Sequence, residues 1–223
     1  VNLFIQDPAQ PDSDTVRAAM ALLQPWRERF GLPLQAIPNQ WAEPFEPQFA
    51  ALVEAAPPVA SFTFGCLTRA QVSTLQARGT WVVGTATTVA EARVWAEAGA
   101  DAICAQGIEA GGHRGTFLKS VAESSIGTMT LVATIRAAVN LPVIAAGGIT
   151  TGEGIAAALT LGASAVQIGT AYLLSDEATT SAPWRARIEN AEDDATRLTR
   201  AFSGRTARGI DNAFMQAMRP IED

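Results

Sequence analysis

Residues 105–117 read AQGIEAGGHRGTF and hold four glycines together with the only histidine of the chain. Imidazole gains and loses a proton near neutral pH, so His113 is the first candidate for a general acid or base, or for a hydrogen bond to an anionic substrate. Gly111 and Gly112 stand just before it, and without a Cβ they let the main chain approach a ligand closely. Glu109 is a second acid/base candidate, for which a structural role in the loop is the favoured reading. Arg114, which follows His113, is read evenly as a plain surface charge and as a functional cation.

A second cluster can hold an anion. The stretches AAGGI (145–149) and QIGTA (167–171) each close an apolar run with glycine. Gly147 and Gly148 from one, and Gly169 with the Thr170 hydroxyl from the other, offer main-chain N–H groups to a phosphate without any lysine. Gln106 and Gln167 end their own apolar runs, where an amide can hydrogen-bond a planar heteroaromatic edge or cap a stray backbone group.

Composition narrows the partners. The formal net charge is −6 and Lys119 is the only lysine, which argues against a nucleic-acid partner. No apolar run reaches the length of a membrane helix and no signal-peptide pattern opens the chain, so a cytoplasmic home is the default expectation. Cys66 and Cys104 lie within or just after apolar runs and are expected to be free, buried thiols. One histidine and two scattered cysteines cannot build a zinc site.

The elements that must position these residues repeat. Six short apolar runs read as strands: 1–5, 59–65, 80–86, 100–107, 142–149 and 165–173. Helix-like stretches separate them, the pattern of a parallel sheet covered on its outer side. Thr68 with Gln71, Thr88 with Glu91 and Thr150 with Glu153 read as capping boxes that open helices. Gly79, Gly99 and Gly162 follow 11 or 12 residues later, suited to the left-handed turn that ends a helix. In one of these helices Val89, Ala92 and Ala96 make the inner face. Strand 100–107 is followed by about 20 residues before the next helix, near 128–139, far longer than an ordinary connection; loops of that length at the C-terminal rim are usually functional or disordered. A closed barrel needs eight strands. The expectation is an α/β TIM (β/α)8 barrel with six of its eight strands in this chain, two units being absent from the N-terminus; a six-stranded open, doubly wound sheet is the alternative. The tail is read as a solvated helix over 183–202 and an arginine-rich loop over 203–214.

These segments together, with AQGIEAGGHRGTF, VIAAGGITTGEGIAAALTLGASAVQIGTAYL, SFTFG, VVGTATTVAEA and FSGRTARGIDNAF quoted as they stand, resemble the nitronate monooxygenase family across nearly the whole chain. The GGH loop alone is shared with FMN-dependent enoyl-ACP reductases. The resemblance implies a TIM barrel that binds FMN non-covalently and oxidises alkyl nitronates with O₂ to carbonyl compounds and nitrite, without a nicotinamide cofactor. It implies that Asn2, Gln106, Gly111, Gly148, Gln167, Gly169 and Thr170 contact FMN, beside the Gly112 and Gly147 already singled out, and that His113 is the catalytic histidine. It further implies two β/α units ahead of VNLF, the first ending in an Ala-Pro-Met stretch, and a helical part beyond GRTARGIDN. The domain layout that follows is a barrel over 1–182, with FMN site and catalytic loop 107–127, and the start of a C-terminal helical or lid region over 183–223. Open sheet edges would invite a homodimer. The alternatives are an FMN-dependent NAD(P)H reductase of the enoyl-ACP or quinone type and a non-catalytic flavin-binding fragment.

Overall fold

The computed structural model of the chain describes residues 1–6, 9–33 and 36–222. The chain begins with β1 (Asn2–Phe4) and passes through α1 (Ser13–Arg29) and α2 (Phe45–Ala55) to β2 (Val59–Thr63). Alternating units follow: α3 (Arg69–Gln76), β3 (Trp81–Ala86), α4 (Val89–Ala98), β4 (Ala102–Gln106). A long connection holds the two-residue β5 (Gly112–His113) before α5 (Thr128–Ala138), β6 (Val143–Ala146), α6 (Gly152–Thr160) and β7 (Ala165–Gln167). The tail carries α7 (Ala182–Glu189), β8 (Thr196–Thr199), β9 (Ala207–Ile210) and α8 (Ala213–Met218).

The six expected strands form one parallel sheet in the order β1-β2-β3-β4-β6-β7. Strand order therefore follows chain order, with no reversal. A doubly wound sheet reverses its order at a switch point and carries helices on both faces. Here Leu52, Leu75, Trp95, Leu131, Ile135 and Ala158 of α2 to α6 all join one core with Ala60, Phe62, Val82, Ile103, Val143 and Ala145. Those strand residues share one parity, so the helices lie on one side. This is the wall of a TIM barrel, six strands of it.

The opposite parity faces inward. Asn2 sits across from Ser61, Phe4 from Thr63, Thr85 from Cys104, and Gln106 from Ala146, which in turn faces Gln167. Because side chains alternate along a strand, these residues line the same, helix-free face. Its apolar part is a separate small cluster of Val83, Ala102, Cys104 and Ala146. Thr63, Thr85, Gln106 and Gln167 lie at or next to the C-terminal ends of their strands, where β/α barrels keep their chemistry, whereas Asn2 opens β1 and Ser61 is mid-strand.

One glycine shows how tightly the outer core is packed. A Cβ on Gly84 would stand 2.1 Å from a ring carbon of Trp95. The indole lies flat against β3, fully buried, and its Nε1 donates to the Thr85 carbonyl at 3.1 Å. Burying an indole of this size is worth about 4 to 6 kcal/mol.

Helix signals hold with two exceptions. Thr68 and Gln71 form a complete capping box, and Gly79, Gly99 and Gly162 take φ of +80°, +94° and +100°. Thr88 caps α4, but the Glu91 carboxylate turns away from the cap to other donors. The third box is displaced by one residue: Thr151, not Thr150, caps α6 by accepting from Gly154 N at 3.2 Å. Val89 and Ala96 pack against the core beside the buried Ala92.

The tail departs from expectation. The helix over 183–202 stops at Glu189, and Thr196–Thr199 pairs antiparallel with Ala207–Ile210, which also pairs with β5. β-Branched Thr196 and Thr199 fit a ladder better than a polar helix. β7 likewise ends at Gln167, because the chain tightens into a 3₁₀ turn over Thr170–Leu174. No described helix is long and apolar enough to cross a membrane.

Candidate active site

The long loop is held by buried polar anchors. Glu91, with no exposed surface, accepts from Thr87 N at 2.7 Å and Thr87 Oγ1 at 2.6 Å with one oxygen. Its other oxygen accepts from Thr116 Oγ1, Phe117 N and Leu118 N at 3.0, 2.7 and 3.1 Å. One carboxylate thus ties the start of α4 to the far limb of the loop. Glu109 takes the structural role: it accepts from Thr128 N and Oγ1, both at 2.9 Å, and so caps α5. Arg114 is not the plain surface charge of one reading given to it. It is buried, its guanidinium donates to the carbonyls of Gln106 and Ser124, and burial pushes its pKa down to about 10 against the pull of Glu91 and Glu109.

Between these anchors the chain presents His113. Gln106 Nε2 donates to the His113 carbonyl at 3.0 Å, and Gln106 Oε1 accepts from Gly115 N at 2.7 Å. On the other side Gly112 and His113 pair with Arg208 and Ala207, Arg114 N donates to Thr206 O at 2.9 Å, and Arg208 Nε donates to Ile108 O at 3.1 Å. The His113 ring meets Phe64 edge-on at 5.8 Å and 87°, and its Nε2 stands 2.6 Å from Ser203 Oγ. Phe64 follows β2 with φ +73°, a conformation costly for a bulky residue. The Arg205 guanidinium lies 4.5 Å from its ring centroid, and Phe4 packs against it at 4.9 Å.

The glycines converge on the loop. A Cβ at Gly111 would reach Thr170 Oγ1 at 2.7 Å, one at Gly147 would reach Ala110 N at 2.8 Å, and one at Gly148 would reach Glu109 Cβ at 3.0 Å. Gly147 and Gly148 hold φ of +115° and +67°, and Gly112 +79°. Nothing stands within 4 Å of the Cβ positions of Gly112 and Gly169. Among the described residues, the main-chain N–H groups of Gly147, Gly148, Gly169 and Thr170 make no turn, loop or cap hydrogen bond. Free N–H groups are what a phosphate needs, and at Gly169 they stand beside open space.

The amides are spread across the inner face. Gln106 and Gln167 lie in one row two strands apart, roughly 10 Å. After its two loop contacts Gln106 retains one amide proton and one lone pair. Gln167 is exposed and stands 3.8 Å from the Cys104 thiol. Asn2, at the sheet edge, donates to Ser61 Oγ at 2.8 Å, three strands from Gln106. Both cysteines are free; Cys104 is buried as expected, whereas Cys66 is only partly buried because it follows β2 in a loop, and desolvation pushes each thiol up to about 12.

Sequence reasoning missed Ser203, Phe64 and Arg205. SFTFG and FSGR stood in plain view, but nothing local says that a residue at 203 returns to one at 113. Glu91 was seen only as a helix cap.

The model of the nitronate monooxygenase family matches residues 1–222. A nitronate monooxygenase of Pseudomonas aeruginosa is 45% identical over 224 residues, covering 99% of this chain and 64% of that protein. A probable nitronate monooxygenase of Staphylococcus aureus is 40% identical over 223 residues, covering 100% of this chain and 63% of that protein. Among solved structures, a nitroalkane oxidase from Streptomyces ansochromogenes superposes with a TM-score of 0.88 at 39% identity, over 98% of this chain and 63% of that one. FabK from Thermotoga maritima superposes with a TM-score of 0.70 at 29% identity, over 96% and 65%. The chain therefore spans a little under two thirds of the length of the curated relatives it matches.

Proposed function

Because the chain belongs to the nitronate monooxygenase family, we propose that it carries the flavin-binding and proton-transfer parts of an FMN-dependent enzyme that oxidises alkyl nitronates and nitroalkanes with O₂ to a carbonyl compound and nitrite. The observation that carries the reading is His113, clamped between Gln106 and β9 above the inner face, with its ring against Phe64 and Ser203. The catalytic part is the loop 107–127, and the tail over 183–223 acts as its clasp.

The residues present fit FMN. Gly147, Gly148, Gly169 and Thr170 offer free main-chain N–H groups for its phosphate, with Gly111 and Gly112 bringing the loop close. Gln106, Gln167 and Asn2 supply amides along the inner face for the polar edge of the ring. When bound, FMN supplies the electron transfer from nitronate to O₂.

The remaining chemistry belongs to the chain. A neutral nitroalkane loses its Cα proton to His113, and the C–H bond pair passes into the nitro group to give the nitronate. The imidazolium formed stays beside that anion, and Phe64, with the Arg205 guanidinium over it, packs edge-on against one side of the ring.

The test is spectroscopic. Purified protein loaded with FMN is mixed anaerobically with ethyl nitronate or with NADH, and flavin bleaching is followed. The reading expects bleaching by the nitronate and indifference to NADH, with nitrite appearing on admission of O₂. Bleaching by NADH alone would assign a reductase, and bound flavin without either reaction would leave a binding module.

A further inference from the structure

The side chain of Glu109 lies in a slot left open by three glycines. A Cβ on Gly107 would stand 2.5 Å from Glu109 Oε2, one on Gly127 would stand 3.1 Å from Oε1, and one on Gly148 would stand 3.0 Å from Glu109 Cβ. Gly107 follows β4, Gly127 precedes α5 and Gly148 lies in the turn after β6, so the slot exists only where these three elements meet. Inside it Thr128 N donates to Glu109 Oε2 at 2.9 Å. Thr128 Oγ1 stands 2.9 Å from the same carboxylate oxygen and 2.9 Å from the Gly147 carbonyl oxygen, and so bridges the two. Thr128 is buried, and a bridge kept from water is stronger than an exposed one.

The slot fixes the main chain that leaves it. Ala110 N donates to the Gly107 carbonyl at 3.2 Å, and a Cβ on Gly147 would come within 2.8 Å of Ala110 N and 3.1 Å of Ala110 Cα. On the next residue, a Cβ at Gly111 would meet Thr170 Oγ1 at 2.7 Å. Ala110 and Gly111 therefore form a wall of the cradle to which Gly147, Gly148, Gly169 and Thr170 belong. His113 follows two residues after that wall. An anion seated in the cradle is thus enclosed in part by the segment that presents the imidazole. Coupling of this kind is reciprocal: whatever factor loop order adds to anion affinity, the anion adds to loop order.

We propose that Glu109 is a positioning residue that joins the His113 loop to the phosphate cradle, so that seating the FMN phosphate fixes the base in place. This rests on the FMN reading above. Glu109 acts through Thr128, Gly147 and Ala110. Riboflavin, which has the same ring system and no phosphate, should occupy the inner face without closing the loop.

The two flavins are the probes. The purified chain is titrated with FMN and with riboflavin by quenching of flavin fluorescence, and hydrogen exchange is measured with each flavin at saturation. Arg114 N donates to Thr206 O at 2.9 Å, so exchange of that amide reports whether the turn that carries His113 is closed. In the unaltered chain FMN should bind about tenfold or more tighter than riboflavin, and should slow exchange at Arg114 about tenfold or more where riboflavin slows it less than about twofold. Glu109→Ala should weaken FMN about tenfold while riboflavin changes less than about twofold, and should abolish the slowing by FMN. Glu109→Gln, whose remaining amide oxygen still accepts from Thr128 N, should keep both properties.

A general loosening of the fold would weaken both flavins alike, and that parallel loss would overturn the proposal. Slowing by FMN that survives in folded Glu109→Ala would also overturn it. Thr128→Val keeps a branched side chain and removes the bridge to Gly147, so it should show the same selective loss, and it decides the question if Glu109→Ala does not fold. If the unaltered chain binds FMN no tighter than riboflavin, the cradle reading fails and the proposal with it. If FMN is preferred and the variants keep that preference, only the proposal fails.

Discussion

The side-chain nitrogen of Gln106 donates to the main-chain carbonyl of His113 at 3.0 Å, while its oxygen takes the N–H of Gly115 at 2.7 Å. A residue at the tip of β4 thus spans the turn that presents the imidazole. Each bond is worth about 1 kcal/mol, a factor of about five in an opening equilibrium. Gln106→Leu should therefore speed hydrogen exchange of the Gly115 amide about fivefold or more while amides in β3 and β4 stay protected. Unaltered exchange at Gly115 would mean that β9 alone holds the turn.

Glu91 gathers five donors at one buried carboxylate. Glu91→Ala leaves the N–H groups of Thr87, Phe117 and Leu118 without partners, and a loss of about 3 kcal/mol or more is expected. Urea unfolding measures the loss, and limited proteolysis should find new cleavage within 116–121. Stability within about 0.5 kcal/mol of the unaltered chain would show that water replaces the carboxylate without cost.

Gly84 is required by contact and not by backbone angle. Gly84→Ala forces a methyl against the Trp95 ring, and overpacking of this kind costs about 1 to 3 kcal/mol. A lowered urea midpoint with an unchanged slope is the expected outcome. A midpoint that does not move would mean that α4 shifts outward freely.

The thiols give a pH prediction. Burial raises Cys66 and Cys104 from 9.0 to about 12, so both stay protonated and unreactive at pH 8. Alkylation by iodoacetamide should be slow in the folded protein and fast in urea. The sign for stability follows: the neutral thiols favour the fold fully below pH 9, and this contribution is lost as pH rises from 9 towards 12. Rapid alkylation of folded protein at pH 8 would contradict the burial.

Much of this was legible in the sequence because it is local. Six apolar runs, the threonine caps and the left-handed glycines each act within a few residues, and all six strands took their places in the sheet. The two shifts were local as well: with two adjacent threonines at 150 and 151, either can cap, and the one that bonds Gly154 N does. What the sequence hid is long-range. Gly112–His113 is a strand only because β9, some 95 residues later, lies beside it. In the sequence Arg114 reads equally as a surface charge and as a functional cation, and only the folded loop shows it turned inward onto two carbonyls. Ser203 carried no signal at all, since a serine before glycine is ordinary loop chemistry.

The central claim is that His113 moves the substrate proton while FMN is held by other residues. Nitrite release from a neutral nitroalkane, measured together with flavin absorbance for His113→Ala, tests it most directly. The account predicts retained yellow flavin and turnover reduced by about 10² or more. Flavin retained with undiminished nitrite release would contradict it.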